Sequence, residues 1–523
     1  MRETSDELRD PPCLGELLLG ALRRSPGSTA LVDGERTLSY GEVAQRVAAT
    51  IAVFEQRGLS AGNSLALLAP NCDEAVVAIL ACYIAGLRLT PLHPLGAIED
   101  HCFIAEDAEV DCLLIDERAY PGRTDAMLEH ISLQPVALAI GGDDSQRDVL
   151  RQRQGCGTAT LCAQSRRDEP LLLMYTGGTT GRPKGIIHSN ASLMASITNF
   201  WCEGEWPPQP NFLAVTPVSH AAHLMVFLTL LAGGRFVMAG PFTPKGFCDA
   251  IEAHRINTSL VVPTMLYGLL DHLDTERADL SGLTNLYYGA APASPSRLRQ
   301  ALERLGPVLT QFYGQVEAPM SISVLRRHEH LDPDPALLGS CGRPTAQCRV
   351  ALLDDRGQPV GTQEVGEICI RGPLLMQAYW KRPEQTAEAL EHGWLHTGDL
   401  ARRDERGFLY IVDRKKDMIV SGGFNVFPSE IEDILYEQPE VARCAVIGIP
   451  DSRWGEAVCA IVVLRDRGEG DAQSIRQLIR ERKGPVYAPK RVEFLTDIPL
   501  TALGKPDKKA LRQQFWAPAE RQV

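Results

Sequence analysis

The chain has 523 residues, 44% of them apolar and 23% charged, with a formal net charge of −13. That length exceeds one simple core, so two or more globular domains are expected. The negative balance argues against nucleic acid or an anionic membrane as the main partner, and leaves room for a nucleotide in a local positive pocket. Fourteen cysteines are scattered without a C-x-x-C pair, and the charged start, Met-Arg-Glu-Thr-Ser-Asp-Glu, has no apolar leader. Reduced thiols and a cytoplasmic location are expected.

Residues 37–53 predict a short strand and then a helix with Val43, Val47 and Ile51 on one face. Residues 64–68 read as a strand, 75–85 as a very apolar helix and 112–115 as another strand. This alternation predicts a parallel, helix-covered sheet. The stretch from 120 to 168 is polar and weakly patterned, and is read as connecting structure.

An apolar run at 171–174 predicts a buried strand that feeds into Tyr175-Thr-Gly-Gly-Thr-Thr-Gly-Arg-Pro-Lys-Gly185. Ser189 and Asn190 can then cap a helix carrying Leu193 and Ile197 one turn apart. The loop is therefore expected to join a strand to a helix. Its glycines, Gly177, Gly178 and Gly181 among them, leave N–H groups bare to wrap an anion. Thr176, Thr179 and Thr180 add hydroxyls, and Lys184 adds a positive charge. The spacing G-x-x-x-x-G-K-[ST] of the common nucleotide loop is absent. A plain polar turn would not need so many donors in eleven residues.

The string resembles the phosphate loop of the adenylate-forming superfamily, which holds acyl-CoA synthetases, aryl-CoA ligases, peptide-synthetase adenylation domains and beetle luciferases. Later motifs extend the resemblance over residues 38–511. It implies an α/β protein with a large N-terminal domain, 1–413, of two helix-covered mixed sheets plus a distorted β-barrel. A small mobile α/β C-terminal domain, 414–523, would turn on Lys416. By the same resemblance, Thr176 to Gly181 and Lys184 bind ATP.

Residues 212–234 carry no Asp, Glu, Lys or Arg. The length suits a membrane span, yet Pro217, Ser219, His220 and His223 fall inside it and no basic flank follows. A buried loop and helix are expected, with no span. A lone His in such a run is ordinarily a core residue, and His223 is read so. The resemblance places an aromatic or His at His220, beside the acyl carboxylate and the α-phosphate. Amino-acid-activating relatives hold a substrate ammonium with an Asp near this point, and none is present. A buried ammonium without a counterion is costly, so the expected acid has no α-amino group.

Residues 260–270 read as a strand end and helix start. Then Leu286-Tyr-Tyr-Gly289-Ala-Ala-Pro292 reads as a strand breaking into a small-residue turn. In the family this turn, Gly289, Ala290, Ala291 and Pro292, borders adenine and the acyl pocket; Ala290 stands where relatives often carry Gly. The expected acyl pocket is His220, Val262, Ala290 and Gly314. In Tyr313-Gly-Gln-Val-Glu317, a Tyr can stack on adenine and a Glu can hold Mg²⁺. Gly314 belongs to the same nucleotide motif. Val316 replaces the usual Thr, whose hydrogen bond to phosphate is worth about 1.5–3 kcal/mol.

Gly366-Glu-Ile-Cys-Ile-Arg-Gly372 opens an all-β stretch. In Trp394-Leu-His-Thr-Gly-Asp399, composition alone makes Asp399 a turn residue; the resemblance makes it the ribose carboxylate, helped by Arg414. Beyond the Lys416 hinge come a strand at 418–420, the Gly422-Gly423 turn and a helix from Pro428 with Ile431, Ile434 and Leu435 on one face. Strands at 442–447 and 457–464 and a helix at 474–482 follow. Gly422, Gly423, Arg453 and Trp454 match CoA-contacting positions. Lys505, in Pro499-Leu-Thr-Ala-Leu-Gly-Lys505, reads alone as a solvated tail residue; the resemblance makes it the catalytic lysine.

The implied enzyme is an AMP-forming acid–thiol ligase using ATP, Mg²⁺ and CoA on an aliphatic or aromatic carboxylic acid. Catalytic roles fall to Lys505, His220 and Glu317, with Glu317 holding the metal. Two alternatives stay open. The acyl group passes to a phosphopantetheinylated carrier protein, with no fused carrier expected since the chain ends soon after Lys505. Or the chain binds adenylates with little catalysis, which only Val316 favours.

Overall fold

The computed structural model describes residues 11–155, 161–176, 183–421, 424–451, 453–465, 470–500 and 506–515. Two large mixed sheets dominate. The first has seven strands in the spatial order Ala378–Tyr379, Lys184–Ser189, Pro170–Thr176, Arg88–Pro91, Ser64–Leu68, Cys112–Ile115 and Val136–Ala139. Its last five strands run parallel, and the first two are antiparallel additions. The second has nine strands, and its parallel centre runs Leu309–Gln315, Asn285–Gly289, Thr258–Val261, Asn211–Ala214, Arg235–Met238 and Thr29–Asp33.

Alternation along the strands sorts side chains into layers. Leu65 and Leu67 share one apolar cluster with Phe212 and Phe236 of the other sheet, so that cluster lies between the sheets. Helices Leu14–Arg24, Tyr40–Gln56, Asp73–Ala85, Asn190–Glu203 and His223–Leu231 contribute to it, with Val149 from helix Val149–Gly155. Helix Asp73–Ala85 is buried along its whole length, as its unbroken apolar run requires. Ala66 and Leu68 point the other way, towards helices Ile98–Asp107 and Arg123–His130. Val237 and Val261 of the second sheet face helices Pro244–His254, Pro263–Leu273 and Pro295–Leu305. The charge-free stretch is a strand end, a loop and one buried nine-residue helix. Among the described residues, no helix is long and apolar enough to cross a membrane.

Three expectations need correction. The glycine-rich loop joins two antiparallel strands, because Lys184–Ser189 pairs back on Pro170–Thr176 before the helix begins. Ser189 does cap that helix, accepting the Ser192 N–H. The expected β-barrel is an open antiparallel sheet of four strands, Arg349–Leu353, Gly366–Arg371, Leu395–Arg403 and Leu409–Arg414. Four strands are too few to close around a filled interior. One face packs instead on Ile186, Tyr313 and Ile322 from the two large sheets. The stretch 120–168, read as connecting, supplies two helices and the edge strand Val136–Ala139.

A smaller sheet follows Lys416, with strands Phe424–Val426, Ile419–Ser421, Gly455–Leu464 and Val441–Asp451, and with Arg491–Phe494 parallel to Gly455–Leu464. Helix Pro428–Tyr436 buries Ile431, Ile434 and Leu435 against it.

Candidate active site

Ligands of open α/β sheets bind beyond the carboxyl ends of the strands. Here the carboxyl ends of both large sheets are tied to each other. Asn71, after strand Ser64–Leu68, donates from Nδ2 to the Thr216 carbonyl at 3.0 Å and accepts the Val218 N–H at 2.9 Å. From this junction the second sheet presents His220, Val262, Ala290 and Gly314 at or just past the ends of four neighbouring strands. The first sheet presents Thr176, which faces Lys184 as a paired residue. The four expected acyl-pocket residues thus lie on one rim, and Thr176 and Lys184, at the two ends of the expected phosphate loop, lie on the other sheet. Gly177, Gly178, Thr179, Thr180 and Gly181 lie outside the described residues.

Backbone geometry shapes the rim. A Cβ on Gly289 would lie 2.2 Å from the Phe312 carbonyl oxygen, so the two neighbouring strands tolerate only Gly there. Ala290 follows at φ +65°, a left-handed conformation that costs a non-glycine residue about 1–2 kcal/mol. Ala291 continues the turn half-buried and Pro292 exposed. Strain held at the rim of a crevice points to a constrained contact surface.

The polar groups form two linked sets. In the first, the Tyr379 hydroxyl donates to Glu317 Oε1 at 2.9 Å, and the Lys184 ammonium sits 5.4 Å from the centre of the Tyr379 ring. One tyrosine, from the edge strand Ala378–Tyr379, therefore connects Lys184, at the end of the expected phosphate loop, to the expected metal carboxylate. His188 reinforces this from below. It is fully buried, and its Nε2 bonds the Val316 carbonyl at 2.7 Å, next to Glu317. The Val316 side chain packs on the apolar clusters.

In the second set, Asp399 is 5% exposed and held on both oxygens. Oδ2 accepts from the Tyr313 hydroxyl at 2.7 Å and from Gln315 Nε2 at 2.6 Å; Oδ1 faces Arg414 Nε at 3.2 Å. A carboxylate has about four lone-pair sites, so spare capacity remains on Oδ1, beside Arg414. Tyr313, expected to stack on adenine, has its ring in the apolar cluster and its hydroxyl on Asp399.

Burial decides the state of His220. Desolvation first, then His93 and His223, push its pKa down to about 3, so the ring is neutral near pH 7. The Ser219 hydroxyl lies 2.9 Å from its Nδ1. His223 has both nitrogens engaged in the core, with the Tyr83 hydroxyl at 2.8 Å and the Val218 carbonyl at 2.9 Å.

Lys505, Gly422 and Gly423 lie outside the described residues. The segments flanking Lys505 are placed. Leu500 bridges Pro506, and helix Lys508–Gln513 follows. Lys508 pairs with Glu432 at 2.8 Å and Arg512 with Asp417 at 2.8 Å, so this helix sits against the segment around Lys416. Asp413, two residues before Lys415, accepts the Ser429 N–H at the start of helix Pro428–Tyr436; burial raises its pKa to about 6. Arg453 stacks on Trp454, 4.8 Å from the ring centre, at a partly exposed corner of the small sheet.

Tyr379, His188 and His93 were not singled out from the sequence. Each acts through a partner more than sixty positions away, and no local pattern marks such a residue.

A family profile described as AMP-binding enzyme matches residues 20–380, and one described as AMP-binding enzyme C-terminal domain matches residues 430–505. The medium/long-chain-fatty-acid–CoA ligase FadD8 of Mycobacterium tuberculosis is 44% identical over 534 residues, covering 99% of this chain and 92% of its own. A feruloyl-CoA synthase of Amycolatopsis sp is 36% identical, covering 96% of this chain and 99% of its own. Among solved structures, the amide bond synthetase McbA of Marinactinospora thermotolerans superposes with a TM-score of 0.88 at 32% identity, covering 96% of this chain and 100% of that one. The chain belongs to the AMP-binding enzyme family.

Proposed function

We propose that the chain is an ATP-dependent carboxylic acid:CoA ligase working through an acyl-adenylate. Its acid is aliphatic or aromatic and lacks an amino group. The observation that carries this reading is the set Lys184–Tyr379–Glu317, which joins the two large sheets, together with a neutral His220 beyond the end of a strand in the same sheet as Glu317. The relatives named as CoA ligases support the thiol acceptor.

In the first step a carboxylate oxygen attacks the α-phosphate of ATP, and the bond to the bridging β-phosphate oxygen breaks. Negative charge builds on phosphate as pyrophosphate leaves, so fixed positive groups are the useful ones. Lys184 and the N–H groups of residues 176–181 meet that charge, as does Lys505. Glu317 fits a hard divalent cation, since Oε1 takes the Tyr379 hydroxyl and Oε2 bonds nothing among the described residues. Mg²⁺ held there would offset phosphate charge. Asp399, kept in place by Tyr313, Gln315 and Arg414, receives the ribose. His220 stands beside the carboxylate, uncharged, so it orients that group without neutralising the nucleophile. The unit after Lys416 then swings, withdrawing Lys505 and bringing Gly422 and Gly423 with Arg453 and Trp454 to the pantetheine thiol. The thiol attacks the acyl carbon and AMP departs.

Protein, ATP, Mg²⁺, CoA and a panel of carboxylic acids should release AMP and pyrophosphate; silence across a broad panel refutes the reading. Replacing CoA by a phosphopantetheinylated carrier protein separates the two acceptors. Lys505→Ala should slow adenylate formation about a hundredfold or more and leave thioester formation from supplied adenylate largely intact. Equal losses in both halves would remove the role given to Lys505.

A further inference from the structure

His93 belongs to none of the motifs read from the sequence, yet it stands against His220. The two rings meet edge to face, with centroids 4.6 Å apart and planes at 69°. They arrive from different sheets. His93 follows strand Arg88–Pro91 of the seven-stranded sheet, and His220 follows Asn211–Ala214 of the nine-stranded one. Both are partly open to the crevice.

The loop carrying His93 is held firmly. Its carbonyl accepts the Gly96 N–H at 2.9 Å and His101 Nε2 at 2.9 Å, and Arg123 Nη1 fixes the other nitrogen of His101 at 3.0 Å. His93 Nδ1 accepts the Leu95 N–H at 3.1 Å. That bond assigns the proton of the neutral ring to Nε2. Burial lowers the pKa of His93, so the neutral form is the relevant one. Its Nε2–H has no hydrogen-bond partner among the described residues. A held ring with an unused donor, next to the ring assigned to the acid, is built to receive an acceptor.

We propose that His93 is an acid-binding residue whose Nε2–H donates to a carboxylate oxygen of the substrate, opposite His220. The inference rests on the reading that His220 lines the acid site. A neutral donor suits the chemistry. An Arg would bind the ground-state carboxylate more tightly and blunt its attack on phosphorus, whereas an imidazole orients the oxygen and leaves it nucleophilic. The pair also offers an anion a polar partner beside the stretch 212–234, which itself carries no Lys or Arg.

The test measures KM for the acid and for ATP by pyrophosphate release. His93→Phe keeps a ring against His220 and removes the donor; His93→Gln removes the ring and keeps a donor. His93→Phe should raise the acid KM about ten- to hundredfold, the effect of one lost hydrogen bond to a charged group, with the ATP KM unchanged. His93→Gln should recover most of that loss. His93→Leu gives the same readout if the Phe variant fails to fold. An unaltered acid KM in a donor-free variant overturns the inference, and so does a Gln variant no better than Phe or Leu. Wild-type protein inert towards every acid would overturn the reading of the site, and this inference with it. An active wild type beside an unaffected donor-free variant overturns the inference alone.

Discussion

Four histidines around the crevice fall into two pairs. His188 and His223 are fully buried and engaged at both nitrogens. His93 and His220 are partly open, and each keeps a nitrogen without a hydrogen-bond partner among the described residues. Burial lowers the pKa in both pairs. A depressed pKa therefore does not separate the pair proposed for the acid site from the pair engaged in the core. Unspent hydrogen-bonding capacity at a crevice does.

The contrast is open to attack, starting with the largest effect. His188 and His223 have pKa values pushed to about 4, against 6.5 for an ordinary histidine. Between those limits the unfolded chain binds protons that the folded chain refuses. Stability is thus fully present above pH 6.5 and falls as pH drops towards 4, by roughly 3 kcal/mol for each ring. Denaturant unfolding from pH 7 to 4.5 checks this, and a flat profile would break the structural assignment. At pH 7, His223→Leu should lower stability by roughly 2–4 kcal/mol, because it strands the Tyr83 hydroxyl and the Val218 carbonyl, while KM values stay near wild type. His220→Phe should do the reverse. Activity should fall about ten- to hundredfold with an unchanged unfolding midpoint, and a stability loss matching that of His223→Leu would erase the distinction.

A smaller effect sharpens the same contrast. Tyr379→Phe keeps the ring under Lys184 and removes the hydroxyl from Glu317. Adenylate formation should slow about tenfold, with the Mg²⁺ concentration needed for half-maximal rate rising. A rate change without any shift in that concentration would detach Tyr379 from the metal role proposed for Glu317.

Much of the fold was legible because its signals are local. The apolar run at 75–85 announced a helix buried on every side, and Ile431, Ile434 and Leu435 announced the buried face of helix Pro428–Tyr436. The strand Lys184–Ser189 was not. Its residues follow a glycine-rich turn and run straight into a capped helix, so nothing nearby shows that they pair back on Pro170–Thr176. Gly185 was the one trace: a Cβ there would lie 2.9 Å from the Tyr175 ring, as close strand pairing demands. In the site, the carboxylates and glycines could be named because motifs quote them. Tyr379 and His93 could not, since each matters only through a neighbour that folding brings from another sheet.

The hairpin of strands Pro170–Thr176 and Lys184–Ser189 has an evolutionary reach. Thr176 and Lys184 face each other as partners in one ladder, so the chain leaves and re-enters the sheet at a single rung. Residues added or lost between them leave every other rung in step. A change of length between these two residues therefore leaves the paired strands beneath as they were.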